Sequence, residues 1–127
     1  MAKVLVIAVD GQMKTVDSLY NNLSESVQGY IEYVCLSTKI GKRNGIKYDK
    51  ELPDLHIYLN EEGKLMKLPV NPFATALWQK YYKNTDTIVG NIIITGGADE
   101  EGETTDTTEE QIKFVKSIID AVNDDYV

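Results

Sequence analysis

In Ile88-Val89-Gly90-Asn91-Ile92-Ile93-Ile94-Thr95-Gly96-Gly97, three isoleucines stand side by side and a glycine pair ends the run. Successive side chains of a strand point to opposite faces, so a half-exposed strand alternates apolar with polar residues. Ile92-Ile93-Ile94 does not alternate. It predicts a last strand over Ile88–Thr95 that is buried on both faces and central in its sheet.

Reading backward, Asn84–Thr87 is a turn, and Asn71-Pro72 opens a helix with Asn as N-cap and Pro at the first helical position. Ala74, Leu77, Trp78 and Tyr81 share one side of that helix, which runs to about Lys83. Before it, Asp54–Leu59 alternates as a strand. Asn60-Glu61-Glu62-Gly63 reads as a hairpin turn, with Lys64–Leu68 as its return strand. Residues 39–53 read as a basic surface loop carrying Lys39, Lys42, Arg43, Lys47 and Lys50. Tyr30–Leu36 is a strand. Asp17 caps a helix with Leu19, Leu23 and Val27 at spacing four, which Gly29 ends. Lys3–Val9 is the first strand, and Gln12–Val16 pairs back onto it through Asp10-Gly11.

Reading forward, residues 98–105 form an acidic loop, and a capping box of Thr107 with Glu110 opens a helix over 107–123. Strands and helices mix without regular βαβ alternation. The expected fold is a single α+β domain over 1–127, with a mixed or mainly antiparallel sheet of five to six strands and about three helices.

The chain of 127 residues has a 43% apolar fraction, which suffices for one core and leaves no room for a second. A lone cysteine, Cys35, excludes an internal disulfide. The apolar run Val4–Val9 is too short for a secretory or membrane segment, so the chain reads as cytoplasmic. The net charge of −7 sits at one end: residues 99–127 carry ten acids against two bases. That balance argues against direct nucleic-acid binding.

No catalytic centre or cofactor is legible. His56 stands alone in an apolar strand and reads as structural, and Cys35 reads as a buried thiol. There is neither a nucleophile elbow nor a phosphate-binding loop. The glycines and acids of Thr95–Thr104 admit three readings: a solvated loop, a hard-cation site, or a contact to a ligand or partner. The spacing does not match a calcium loop, and no metal ligand set is assigned. The capped start of the Asn71 helix offers free amides beside Phe73 and Trp78.

Gly29-Tyr30-Ile31-Glu32, Asn60-Glu61-Glu62-Gly63-Lys64, Asn71-Pro72 through Thr75 and Leu77, and Val89-Gly90-Asn91 leading into Ile94–Thr104 occur together here. In these blocks the chain resembles domain-of-unknown-function family 3846, small proteins of phages, integrative elements and bacteria. The likeness covers most of residues 1–105; the lysine-rich 39–50 segment and the final helix look like additions to it. It brings no catalytic residues. It implies an accessory protein of a phage or mobile element, of the kind that acts by binding a ligand or a host factor.

The reading that follows is a non-enzymatic binder of a small ligand such as a nucleotide, or of a host protein. Asn71, Phe73, Thr75, Trp78, Gly96, Gly97, Asp99 and Glu103 are the expected ligand residues. They would share one cleft, completed by Asn60–Lys64. The alternatives are an interaction or nucleic-acid-mimic surface on the acidic C-terminal quarter, and a metal-dependent enzyme using the 99–103 carboxylates.

Overall fold

The computed structural model describes residues 1–83 and 86–125. Of the expected Asn84–Thr87 turn, Asn84 and Thr85 lie outside the described residues. The elements are β1 (Lys3–Ile7), β2 (Met13–Asp17), α1 (Tyr20–Val27), β3 (Ile31–Leu36), α2 (Thr38–Arg43), β4 (Leu55–Asn60), α3 (Pro72–Tyr81), β5 (Ile92–Thr95), β6 (Gly97–Ala98), β7 (Thr104–Thr105) and α4 (Glu109–Asp124). This is an α+β domain. Five strands form one sheet in the order β2-β1-β5-β4-β3, and β6 pairs with β7 in a separate hairpin. Every pairing is antiparallel.

β5 is central, as its isoleucine run requires. Ile92 and Ile94 join Leu5, Ile7, Leu36, Leu55 and Ile57 on the face covered by α3 and α4. Ile93 points the other way, into a smaller cluster with Val4, Val6 and the α1 residues Leu23 and Val27. The strand is shorter than expected, because Val89 makes only an isolated bridge to Val70 and Gly90 turns the chain.

Several expectations shift. Asp17 ends β2 and pairs with Lys3 at 2.5 Å, so α1 begins after Leu19 with no side-chain cap. The Lys3 ammonium, by hydrogen bond and charge, holds the Asp17 carboxyl below the usual carboxylate range. The left-handed residue ending α1 is Gln28, not Gly29; Gly29 is needed because any Cβ there would meet the Asn60 amide. The basic 39–53 loop contains α2, capped by the Ser37 side chain and anchored where the Tyr48 hydroxyl donates to the Tyr81 carbonyl. No return strand forms over Lys64–Leu68. Glu62 C=O accepts from Met66 N–H and Gly63 C=O from Leu68 N–H, a helical turn that closes on itself.

The last helix is capped one residue later than expected: Thr108 and Gln111 make the reciprocal box. Thr107 is taken by the sheet instead. Its hydroxyl accepts from Leu5 N–H and donates to Ile94 C=O, bridging β1 and β5.

Candidate functional site

The expected ligand residues divide into two groups at opposite ends of β5. Asn71 is fully buried near Gly90, ahead of the strand. Its Oδ1 caps Ala74 N–H, and its Nδ2 donates to the carbonyls of Ile7 and Gly90. Thr75 Oγ1 donates to Asn71 C=O and accepts from Ile88 N–H. Phe73 and Trp78 pack in the core under α3. These four side chains are occupied in holding the helix to the sheet. Gly96, Gly97, Asp99 and Glu103 lie past the other end of β5, and none of the cavities described below joins the two groups.

The glycine–acid segment is a hairpin rather than an open loop. Asp99 Oδ1 accepts from Glu101 N–H and Glu103 N–H, both at 2.9 Å, which fixes the tip. Gly96 sits where a Cβ would strike the Asp106 carbonyl, so glycine is obligatory in that passage. Among the described residues, no three His, Cys, Asp or Glu side chains are grouped as metal ligands would be.

The hairpin flanks an aromatic cavity. α1 has only eight residues and covers one part of its sheet face, leaving the part nearest the hairpin open. Register pairs Tyr33 with Tyr58 and Cys35 with His56 across β3 and β4, and His56 with Thr95 across β4 and β5. Paired residues of antiparallel strands share a face. Tyr33, His56, Tyr58 and Thr95, with Gly97, Ala98, Gly102 and Thr104 of the hairpin segment, line a half-open cavity of about 480 Å³.

Its floor is flat. The Tyr33 and His56 rings are inclined by only 13°, with centroids 6.0 Å apart. The Tyr33 hydroxyl oxygen lies 2.6 Å from His56 Nδ1. A hydrogen bond joining two near-parallel rings at that separation means they lie edge to edge, as one surface, rather than one above the other. Tyr58, also in the lining, is tilted 59° to Tyr33 and packs against the smaller core cluster. Gly97 has φ +114, and a Cβ there would fall 3.0 Å from His56 Nε2. Only glycine lets the hairpin pass this close to the imidazole.

Of the other cavities, one of about 680 Å³ lies between Met1–Ala2 and the acids Asp99, Glu103 and Asp106, and two more are more polar or narrower than the aromatic one. A groove of about 720 Å³ runs between β2 and α1 past Lys14, Asn22, Glu25 and Asn91. A second of about 220 Å³ lies beside Asn60–Lys64 and Thr87–Val89. Neither presents an aromatic ring.

Two groups at or beside the cavity, Tyr33 and Cys35, are pushed toward their neutral forms. Cys35 is directly opposite His56, the pairing a thiol nucleophile would use. Burial, however, pushes the Cys35 thiol up, away from thiolate, and outweighs the opposing hydrogen bond from Tyr33. Burial likewise raises the Tyr33 phenol, which keeps it a neutral hydrogen-bonding group. Sequence reasoning missed Tyr33 and Tyr58, marked Thr95 only as the start of the glycine–acid segment, and set His56 aside. The available signal was the alternation of Tyr33 and Cys35 on one face of β3, matched by His56 and Tyr58 two apart on β4.

Fold and cavity together define an α+β domain with an aromatic pocket on a partly covered sheet face. The chain belongs to the family Domain of unknown function (DUF3846), whose family model matches residues 1–121. The match takes in the 39–50 segment and most of α4, which the resemblance in isolated blocks had left aside. No curated protein and no solved structure matches the chain. Among the described residues no helix is long and apolar enough to cross a membrane.

Proposed function

We propose that this protein is a non-enzymatic binder of a small planar ligand, uncharged or cationic, held against Tyr33 and His56. The observation that carries the reading is the edge-to-edge Tyr33–His56 pair, a flat surface at the floor of a half-open cavity. Stacking on such a surface is worth roughly 1–3 kcal/mol per base-sized ring. Backbone groups of the hairpin and the Thr95 and Thr104 hydroxyls are at hand to read a ring's edges. The hairpin tip carries Asp99, Glu100, Glu101 and Glu103, whose field opposes phosphate and favours a ligand without negative charge. A nucleoside or free base fits this chemistry better than a nucleotide. A phage or mobile-element accessory protein that sequesters such a molecule would need no catalytic group.

The test is thermal stability across a panel of bases, nucleosides and nucleotides, for the natural chain and Tyr33→Ala. A ligand at a hundredfold excess over its Kd stabilises the fold by about 2.7 kcal/mol. A stabilising response that Tyr33→Ala abolishes supports the reading; no response from a folded chain refutes it.

A second reading rests on α4. Asp120, Asp124 and Asp125 are exposed near its C-terminal end, with no basic residue in the last turn. The helix dipole disfavours acids there, so stability does not explain them. A basic partner surface would.

A further inference from the structure

The two edges of the five-stranded sheet are built differently. β2 carries Lys14 and a Lys3–Asp17 ion pair, the charged dress that natural sheets use against further pairing. β3, with the sequence Ile31-Glu32-Tyr33-Val34-Cys35-Leu36, has no lysine, no proline and one acid. Tyr30 and Tyr33 on or beside it are 70% and 54% exposed. Glu61 N–H donates to Tyr30 C=O, so Tyr30 and its alternate neighbours direct their backbone groups inward to β4. The backbone groups of Ile31, Tyr33 and Cys35 therefore point outward along the free edge.

We propose that this edge pairs antiparallel with the same strand of a second copy, centred on Tyr33. In that register Tyr33 meets the partner's Tyr33, Ile31 meets the partner's Cys35, and Glu32 faces the partner's Val34. No like charges oppose each other. The ends of β3 are also complementary. Its start is flanked by Glu32, Glu61 and Glu62, all exposed. Its end leads into α2, where Lys39 and Arg43 are exposed and make no ion pair among the described residues. Antiparallel pairing sets acidic start against basic end, which a parallel arrangement would not. Tyr33 of the second copy would lie beside the aromatic cavity and enlarge its flat floor. The proposal rests on the strand edge and does not depend on the ligand reading. Five paired residues bury less than a standard interface, so the dimer forms with rising concentration rather than permanently.

Sedimentation velocity from low micromolar to millimolar protein, with amide hydrogen exchange at both extremes, tests this. A monomer–dimer equilibrium weakened by salt is expected. Exchange at Ile31, Tyr33 and Cys35 should slow roughly tenfold when about nine-tenths of the chain is dimeric. Ile31→Cys should form an interchain disulfide with the partner's Cys35 on mild oxidation. A monomer at every concentration overturns the proposal, as does a dimer in which those three amides exchange as they do in the monomer.

Discussion

The phenol oxygen of Tyr33 lies 2.6 Å from His56 Nδ1, although the two residues are not cross-strand partners. Tyr33 is paired with Tyr58, and His56 with Cys35, so the contact runs diagonally across β3 and β4. Diagonal neighbours are within reach of aromatic side chains. This diagonal turns two rings into one flat surface.

Asn71→Ala separates a structural residue from a ligand residue. Asn71 caps α3 and satisfies two buried carbonyls with its amide. Losing the cap and leaving those carbonyls unpaired should cost about 3 kcal/mol in urea unfolding. Ligand affinity of the folded fraction should be unchanged; a selective loss of affinity would return Asn71 to the site.

Gly97→Ala and Gly102→Ala form a matched pair. Both positions have positive φ, +114 and +81, but only at Gly97 would the new Cβ meet the His56 ring; at Gly102 nothing lies within 4 Å. Each should lose about 1–2 kcal/mol to backbone strain. Only Gly97→Ala should also displace His56, read as a shift of its ring resonances, and weaken ligand binding. Equal effects on His56 would contradict the close approach.

Stability should fall on the alkaline side. Burial, then the charges of Asp54 and Cys35, raises the Tyr81 phenol, whose hydroxyl donates to Pro53 C=O at 2.6 Å. In the unfolded chain that phenol ionises near pH 10, roughly its ordinary value. Above that pH the folded state holds the proton and the unfolded state does not. The unfolded chain therefore binds fewer protons, and stability declines with rising pH. It is fully present below pH about 10. Tyr81→Phe should cost about 1 kcal/mol at neutral pH and flatten the alkaline decline. Unfolding free energy measured from pH 8 to 11 checks the sign.

Neutralising Asp120, Asp124 and Asp125 to Asn should leave stability unchanged or raise it by up to about 1 kcal/mol, since the dipole disfavours acids at that end of α4. Thermal unfolding of the triple variant decides. Unfolding on neutralisation would mean that these acids are paired within the structure, and the interaction-surface reading would fail.

Local rules made much of the fold legible. Asn71-Pro72 marked the start of α3, and Ile92-Ile93-Ile94 marked the central strand, because caps and apolar runs are written in adjacent residues. The α4 box was displaced by one residue because Thr107 and Thr108 are both competent caps. The sheet decides between them by taking the Thr107 hydroxyl for Leu5 and Ile94. α2 was hidden because its six residues include a glycine and its anchor, Tyr48, lies beyond the helix. The cavity was least legible. It depends on the register of β3 against β4 and on how little of the sheet α1 covers, and neither is written in any one segment.

The most direct test of a binding cavity at Tyr33 and His56 is a backbone amide NMR titration with a stabilising nucleoside or base and, in parallel, its phosphorylated form. The expected result is saturable shifts at Tyr33, His56, Tyr58, Thr95, Gly97 and Gly102, with weaker or absent binding of the phosphorylated form. Shifts confined to the Lys14–Asn91 groove or to the start of α3, with Tyr33 and His56 unmoved, would contradict it.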